Sequence, residues 1–186
     1  DLPFGSSVAI DTETMGLNLV RDRLCLVQLS FGDGHAHLVK FGPNSDYAAP
    51  NLKRLLSDPK IEKLFHFARF DLASIEAYLG VTCTPVYCTK IASRLVRTFT
   101  DRHSLKALCS DLLGVELNKQ QQSSDWGALT LTDDQKLMQR VMFSIFTASA
   151  KSWMSFWNAK DVWNLPKPVL NSFLTAPNWI WLAGQR

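Results

Sequence analysis

The sequence predicts an α/β domain built on a mixed β-sheet. Three apolar, strand-like runs come first at hairpin spacing, strands and helices then alternate, and further helices end the pattern. The chain has 186 residues, of which 46% are hydrophobic and 20% are charged. This length and this composition are typical of one soluble folded domain.

The strands form the first part of the pattern. Short apolar runs at 8–13, 24–30 and 36–41 have the composition of strands, and a Gly-Asp-Gly turn separates the second from the third. Because the connections between them are short, we expect three neighbouring strands that are at least partly antiparallel. Two more strands are predicted at 63–67 and 86–89.

Helices alternate with the later strands. Apolar residues recur at helical spacing in the segments 50–56, 70–79, 91–96 and 104–113, and again from Thr132 onward. Gly80 and Gly114 each follow one of these segments and predict its carboxyl end. The alternation of strands and helices predicts that part of the sheet is parallel.

The composition argues against several classes of protein. No window supplies the roughly 18 uninterrupted apolar residues that a membrane span needs, and the amino-terminal segment lacks a basic stretch followed by an apolar one. We therefore expect a cytoplasmic protein without a membrane partner. The four cysteines form no C-x-x-C pair and are interpreted as reduced thiols. A net charge of +3 is too small to indicate a nucleic-acid partner by itself.

Two acidic residues end the first predicted strand. Asp11 and Glu13 are two positions apart, so the alternation of a strand turns both carboxylates to the same face. Oxygen ligands that leave positions open for phosphate and water suit a hard cation such as Mg²⁺ or Mn²⁺. The alternative is an acidic strand end that faces solvent.

A third acid, Asp71, follows the predicted strand at 63–67 and lies near the start of the next helix. Ligand-binding residues gather at such a sheet edge in α/β proteins. The alternative is an acid that is favoured at this position by the helix dipole.

Five short motifs occur in a fixed order along the first 137 residues: Asp11-Thr-Glu-Thr14, His66-Phe-Ala-Arg-Phe-Asp71-Leu, His103-Ser-Leu-Lys-Ala-Leu, Gln122-Ser-Ser-Asp-Trp-Gly127 and Leu131-Thr-Asp-Asp-Gln135. Together they resemble the ribonuclease D group of DEDD 3′–5′ exonucleases, and most closely its small stand-alone members of the nanoRNase C type. The resemblance implies a ribonuclease H-like fold, in which helices flank the mixed sheet. It also implies hydrolysis of short single-stranded RNA from the 3′ end, dinucleotides included, with DNA left open as an alternative substrate.

The resemblance also implies a site with two divalent cations, Mg²⁺ or Mn²⁺, held by four carboxylates. Three of these map onto Asp11, Glu13 and Asp71. Such cations stabilise the attacking hydroxide and the leaving oxygen together. Family members of this type form ring-like homo-oligomers, so a homo-oligomer is expected of the intact protein.

Four further residues are weaker candidates for substrate binding. His66 and Arg69 flank the second motif and are candidates for a phosphate contact, the alternatives being a satisfied histidine and a surface arginine. Phe70, like Phe67, is a candidate for stacking on a terminal base, and Met15 for lining the base site. Core packing is the alternative for these apolar residues.

The third catalytic motif of the family is absent. It is a Tyr and an Asp one helical turn apart, and the matching positions hold Met138 and Met142. A thioether is neither a ligand for a hard cation nor a base. The composition changes at the same place, because residues 1–137 hold 16 of the 17 acidic residues and residues 138–186 hold five of the six tryptophans.

A shift of the reading frame accounts for this change. If each true codon joins the last base of one written codon to the first two of the next, four tryptophan pairs encode acidic residues without any choice of codon: Trp153-Met154, Trp157-Asn158, Trp163-Asn164 and Trp179-Ile180. We therefore expect an exonuclease domain at 1–137 and a frameshifted tail at 138–186 that replaces the last helices of the same domain. The alternative function is a catalytically inactive nucleic-acid-binding module with the same fold.

Overall fold

A computed structural model describes residues 7–33, 35–114, 116, 126–128, 130 and 132. Within these residues the elements are β1 (Ser7–Thr14), β2 (Leu24–Ser30), β3 (His37–Lys40), α1 (Pro50–Ser57), β4 (Glu62–Phe65), α2 (Arg69–Leu79), β5 (Val86–Cys88), α3 (Thr89–Val96) and α4 (Leu105–Leu113). The predicted order of strands first, then alternation, then helices is confirmed. The helix predicted from Thr132 onward falls outside the described residues apart from Thr132 itself.

The five strands form one mixed sheet in the order β3-β2-β1-β4-β5. The hairpin strands pair antiparallel, β1 with β2 and β2 with β3. β4 pairs parallel with β1 on one side and with β5 on the other. Because β1, β4 and β5 run in the same direction, their carboxyl ends lie at the same edge of the sheet. The predicted ribonuclease H-like α/β architecture is confirmed.

The core lies around β2, all of whose residues are buried. Cys25 and Leu26 of this strand pack against Trp126. The segment that carries Trp126 is also tied down by polar contacts, since Arg23 donates a hydrogen bond to the Gly127 carbonyl at 3.2 Å and Lys40 donates one to the Ala128 carbonyl. The tryptophan of the fourth motif therefore has a structural role.

The observed boundaries differ from the predicted ones at two functionally interesting places. β4 ends at Phe65 rather than at Phe67, because the backbone of Phe67 has φ +69° and leaves the strand conformation. α3 begins at Thr89 and not at residue 91. Gly80 and Gly114 follow α2 and α4 with φ +65°, the left-handed conformation in which glycine ends helices, as predicted. In the part of the chain that the structure describes, no helix is both long and apolar enough to cross a membrane.

Candidate metal centre

The three candidate carboxylates lie at the edge where the parallel strands end. Pairing between β1 and β4 stops at Ala9 and Leu64, so Asp11 and Glu13 belong to the part of β1 that extends beyond its partner. Asp71 lies in the first turn of α2, the helix that follows β4. The chain after β4 thus brings the start of α2 beside the part of β1 that extends beyond β4.

Thr12 links Asp71 to this edge. Its backbone N–H donates to Oδ1 of Asp71 at 3.0 Å, and its hydroxyl donates to the same oxygen at 2.7 Å. An N–H that has lost its strand partner needs another acceptor when it is buried, and the Asp71 carboxylate supplies one. Asp71 itself is buried. The two hydrogen bonds hold Oδ1 of the carboxylate in place, and Oδ2 accepts neither of them.

Asp11 and Asp71 share an environment that disfavours negative charge. Burial raises the pKa of Asp11 well above its usual value, and the neighbouring charges of Asp71 and Glu13 raise it further. Burial also raises the pKa of Asp71, against the effect of its hydrogen bonds from Thr12. The two carboxylates thus lie close enough to repel each other, as ligands of a shared cation do.

Glu13 lies beside an irregularity in the pairing of β1 with β2. The pairing of β1 with β2 shifts register between Glu13 and Thr14, and such a bulge redirects the side chains beside it. The amide of Gln28, on β2, donates to Oε1 of Glu13 at 3.4 Å. Gln28 therefore tethers this carboxylate on the β2 side of β1.

The donors present fit a hard divalent cation. Magnesium binds through one or two protein carboxylates and fills its other positions with water and phosphate oxygens, and Asp11 with Asp71 offers such a pair. Among the described residues, no group of three or more His, Cys, Asp or Glu side chains is arranged to hold a metal ion. The assignment of Asp11, Glu13 and Asp71 as one ligand set therefore stays a prediction.

His66 is part of a short chain of hydrogen bonds. The Thr89 hydroxyl lies 3.1 Å from the Phe65 carbonyl, to which it donates, and 2.9 Å from Nδ1 of His66. A threonine has a single hydroxyl proton, so Nδ1 must carry the proton of its own contact and donate to the threonine. Nε2 is then left with a lone pair. Burial, assisted by the charge of Lys90, lowers the pKa of His66 to about 4, so the ring is neutral near pH 7.

The other predicted substrate residues differ in exposure. Arg69 is exposed at the start of α2, and Phe70 beside it is half-buried. Met15 is 58% exposed in the loop between β1 and β2. Phe67 is also exposed, and the Lys90 ammonium lies 3.8 Å from the centre of its ring.

The loop that carries Met15 is rigidly built. Asp22 is buried, and its carboxylate accepts hydrogen bonds from the Asn18 backbone at 2.9 Å and from Arg21 at 2.6 Å. The same carboxylate lies so close to Gly16 that a Cβ there would meet it at 2.3 Å. The close approach of Asp22 therefore requires glycine at position 16.

The remaining motifs are only partly described. His103 is buried, and its Nδ1 lies 2.8 Å from the Ser93 hydroxyl of α3. The motif that begins at His103 therefore links the start of α4 to α3. Met138 and Met142 lie outside the described residues, as does most of the fifth motif.

A model of the 3′–5′ exonuclease family matches residues 2–137. The chain belongs to this family. Among curated relatives, ribonuclease D of Gluconacetobacter diazotrophicus is 34% identical over 128 residues, which cover 69% of this chain and 32% of the relative. The chain therefore spans about a third of the length of that relative. The predicted resemblance to ribonuclease D-type exonucleases is confirmed.

Solved structures of a small nuclease resemble this chain over a larger share of their own length than ribonuclease D does. Brucella melitensis NrnC is 47% identical with a TM-score of 0.77, and the match covers 83% of this chain and 74% of that one. The same nuclease with bound Mg²⁺ is 45% identical, and its complex with pGG is 46% identical, each with a TM-score of 0.76, over 83% of this chain and 74% of that one. The expected likeness to small stand-alone members of the group is confirmed.

Sequence reasoning missed several residues that support the site. Thr12 holds Asp71, Gln28 holds Glu13 and Thr89 holds His66. Thr12 had a visible signal, since a hydroxyl side chain stands between the two acids of the first motif. The contacts of Gln28 and Thr89 depend on strand register and on where α3 begins, for which the sequence has no local sign.

Proposed function

We propose that this chain derives from a metal-dependent 3′–5′ exoribonuclease that hydrolyses short single-stranded RNA to 5′ mononucleotides. The proposal depends above all on one observation, the placement of Asp71 against β1 by Thr12, which brings it beside Asp11. Two carboxylates that are desolvated together at the carboxyl edge of a sheet suit a divalent cation better than they suit solvent.

In this proposal Asp11, Glu13 and Asp71 are ligands of two cations, Mg²⁺ or Mn²⁺. When bound, such cations activate a water molecule and stabilise the leaving 3′ oxygen. The chain itself orients the ligands, through Thr12 for Asp71 and through Gln28 for Glu13. Met15 is proposed to contact the terminal base, since it is exposed on a loop whose geometry Asp22 fixes.

His66 is proposed to accept a hydrogen bond from the substrate. A neutral ring with a lone pair on Nε2 attracts a hydroxyl or amine group, whereas a phosphate favours a charged donor. The contact of His66 with Thr89 thus supports a role other than the phosphate contact that its place in the sequence suggested. Arg69 and Phe70 keep their proposed roles at the phosphate and at the base.

Short RNA is the proposed substrate because of the similarity to the Brucella nuclease, whose structures with Mg²⁺ and with pGG share 45% and 46% of aligned residues with this chain. The same similarity supports a homo-oligomer for the intact protein. A cytoplasmic location is proposed on the absence of a membrane-spanning pattern in the sequence.

We further propose that the exonuclease domain of this chain ends at residue 137 and that residues 138–186 are a frameshifted tail. The family match ends at the same residue, and the four tryptophan pairs restore acids in the shifted frame. The chain as written then lacks its fourth carboxylate and the tyrosine.

A second candidate function is an inactive module that binds nucleic acid. One observation favours it, namely that Met138 and Met142 occupy the positions of two catalytic residues. Such a module binds short RNA but releases no mononucleotide, even when its tail is restored.

The test uses the chain with its reading frame restored after Leu137. With Mn²⁺ and a short RNA, we expect 5′ mononucleotides to be released in order from the 3′ end, as followed by chromatography. Asp11→Asn should abolish this release and weaken Mn²⁺ binding measured by calorimetry. Glu76→Gln, an exposed acid on the neighbouring helix α2, is the matched control. Binding of RNA without any release by the restored chain would establish the inactive module instead.

A further inference from the structure

Within residues 1–137, positive charge is concentrated in one segment. Residues 89–114 contain five basic and two acidic residues, a net charge of +3, whereas residues 1–137 as a whole contain 15 basic and 16 acidic residues, a net charge of −1. Lys90 and Arg94 are one turn apart on α3, so they lie on one face of the helix, and Arg97 follows as the residue that caps its carboxyl end. The buried residues of α3 are Thr89, Ala92 and Ser93. Lys90 and Arg94 therefore begin a basic stripe on the outer side of α3, and the Arg97 side chain, which is only 11% exposed, ends it.

An exposed aromatic ring stands at each end of this stripe. At one end Phe67 is 55% exposed, and the Lys90 ammonium lies 3.8 Å from the centre of its ring. At the other end Phe99 is 81% exposed, with the Arg97 guanidinium 5.8 Å from its ring centre. Phe67 also has φ +69°, which costs a bulky residue energy and is retained mainly at functional sites.

The charges of the stripe are only partly neutralised. Asp111 pairs with Arg97 at 2.6 Å and with Arg102 at 2.8 Å, so this trio keeps one net positive charge. Lys90 and Arg94 have no carboxylate partner among the described residues, and Arg94 is exposed. Burial and the charge of Arg94 lower the pKa of Lys90, as expected for neighbouring like charges. A polyanion would relieve this repulsion.

The stripe begins beside the candidate metal centre. α3 starts directly after β5, whose carboxyl end lies at the same sheet edge as that of β4. Phe67, which contacts Lys90, is only four residues before Asp71 in the chain. A strand that has its 3′ end at Asp71 can thus continue onto α3.

We propose that this α3 surface, formed by Phe67, Lys90, Arg94, Arg97 and Phe99, binds the 5′ part of a single-stranded nucleic acid whose 3′ end occupies the metal centre. Phosphates pair with Lys90 and Arg94, Arg97 holds its place through Asp111, and bases stack on the two rings. The inference rests on the proposed function for the position of the 3′ end. An α-helix of eight residues is about 12 Å long, so a dinucleotide bound at the metal centre leaves most of the surface uncovered. The surface therefore favours substrates longer than a dinucleotide.

The experiment compares two RNA lengths on the full 186-residue chain in Mn²⁺, because the metal centre needs the cation to hold the 3′ end. Hydrolysis is not expected to interfere, since Met138 and Met142 replace two catalytic residues in this chain. A dinucleotide and a hexanucleotide compete with a labelled hexanucleotide, followed by fluorescence anisotropy. Arg94→Gln should weaken hexanucleotide binding severalfold and reduce its salt slope by about 0.7, the value for one phosphate contact on a single strand. Phe99→Ala should weaken it roughly fivefold or more through lost stacking. Dinucleotide binding should not change in either variant.

Two further variants keep the result interpretable. Arg54→Gln removes an exposed arginine from α1 and should leave both RNAs unaffected, whereas Arg94→Lys keeps the charge and should recover most of the hexanucleotide affinity. Equal hexanucleotide affinity of Arg94→Gln and Arg54→Gln would overturn the inference and leave the proposed function standing. Failure of the parental chain to bind the hexanucleotide would also overturn the inference, whereas the proposed function is tested by release of mononucleotides from the frame-restored chain. If Phe99→Ala and Arg94→Gln instead lower the sedimentation coefficient without changing RNA affinity, the surface is a contact between copies of the chain, which also overturns the inference.

Discussion

The acidic centre lies at the sheet edge where the α3 surface begins, but the two regions are built in opposite ways. Asp71 is buried and receives two hydrogen bonds from Thr12, and burial raises its pKa. Arg94 is exposed and has no carboxylate partner among the described residues, while Lys90 lies over an exposed ring. A carboxylate that binds a cation needs rigid geometry and low solvation. A side chain that binds a flexible nucleic-acid strand instead needs to be long and exposed to solvent. The two regions therefore suit chemistry and substrate holding, respectively.

The largest expected effect separates these roles directly. In the frame-restored chain, Asp71→Asn keeps an oxygen to accept both hydrogen bonds from Thr12, so the fold is retained while the anionic ligand is lost. We expect turnover of a short RNA in Mn²⁺ to fall by about 10³-fold or more, since metal activation supplies several kcal/mol of the barrier. Arg94→Gln should leave turnover of a dinucleotide unchanged. Near-parental turnover by Asp71→Asn would show that Asp71 is not a metal ligand.

The second prediction concerns the tail. The chain as written should show no detectable release of mononucleotides, because Met138 and Met142 replace the tyrosine and the carboxylate of the third motif. Restoring the whole frame should recover far more activity than Met138→Tyr with Met142→Asp, since a helix packs through its entire apolar face. Thermal unfolding of the three proteins provides the control for stability. Robust metal-dependent activity of the unaltered chain would contradict the frameshift.

The acidic centre was accessible to sequence reasoning and the α3 surface was not. Asp11, Glu13 and Asp71 lie in short motifs next to strand ends, where alternation and strand order predict their approach. Phe67 was placed inside a strand because its neighbours are apolar, but its left-handed backbone ends β4 and turns the ring outward. Lys90 reaches that ring across 23 positions of sequence, a separation at which no local pattern operates.

Thr12 of the first motif donates hydrogen bonds to Asp71 of the second motif, and the third prediction tests this contact. Thr12→Val removes the hydroxyl that donates to Asp71 at 2.7 Å but keeps the shape of the side chain and the backbone N–H. Loss of an outer-shell partner typically costs about 10- to 100-fold in metal affinity, so Mn²⁺ binding measured by calorimetry should weaken within that range. Thr12→Ser restores the hydroxyl and should stay near the parental value. Equal Mn²⁺ affinities for the Val and Ser variants would show that the Thr12 hydroxyl does not support the metal centre.

His66 lies between the acidic centre and the α3 surface, and its titration affects stability. Its pKa is lowered from 6.5 to about 4 in the folded state, so between these values the unfolded chain binds a proton that the native chain does not. This contribution is present above about pH 6.5 and is lost as the pH falls towards 4. At about 1.4 kcal/mol per unit, it amounts to ~3 kcal/mol at most.

The measurement is urea unfolding of His66→Gln and of the parental chain between these pH values. The glutamine amide can donate a hydrogen bond to Thr89 but does not titrate. Only the parental chain therefore loses the contribution of His66, and the difference in unfolding free energy between the two proteins should shrink as the pH falls. Asp11 and Asp71 have raised pKa values and contribute with the opposite sign, but they are common to both proteins. A pH-independent difference would mean that folding does not lower the pKa of His66. Nitrogen-15 chemical shifts should independently report the proton on Nδ1.

The smallest expected effect is the dependence of RNA binding on salt, and it sharpens the comparison between the two regions. Release of counterions gives a log–log slope of about −0.7 for each phosphate neutralised on a single strand. A dinucleotide with a 5′ phosphate has two phosphates, so its slope at a fixed Mn²⁺ concentration should be no steeper than about −1.4. A hexanucleotide that also contacts Lys90 and Arg94 should add about −1.4 to this value. Equal slopes for the two lengths would confine binding to the acidic centre, because only contacts beyond the terminal nucleotides make the slope depend on length.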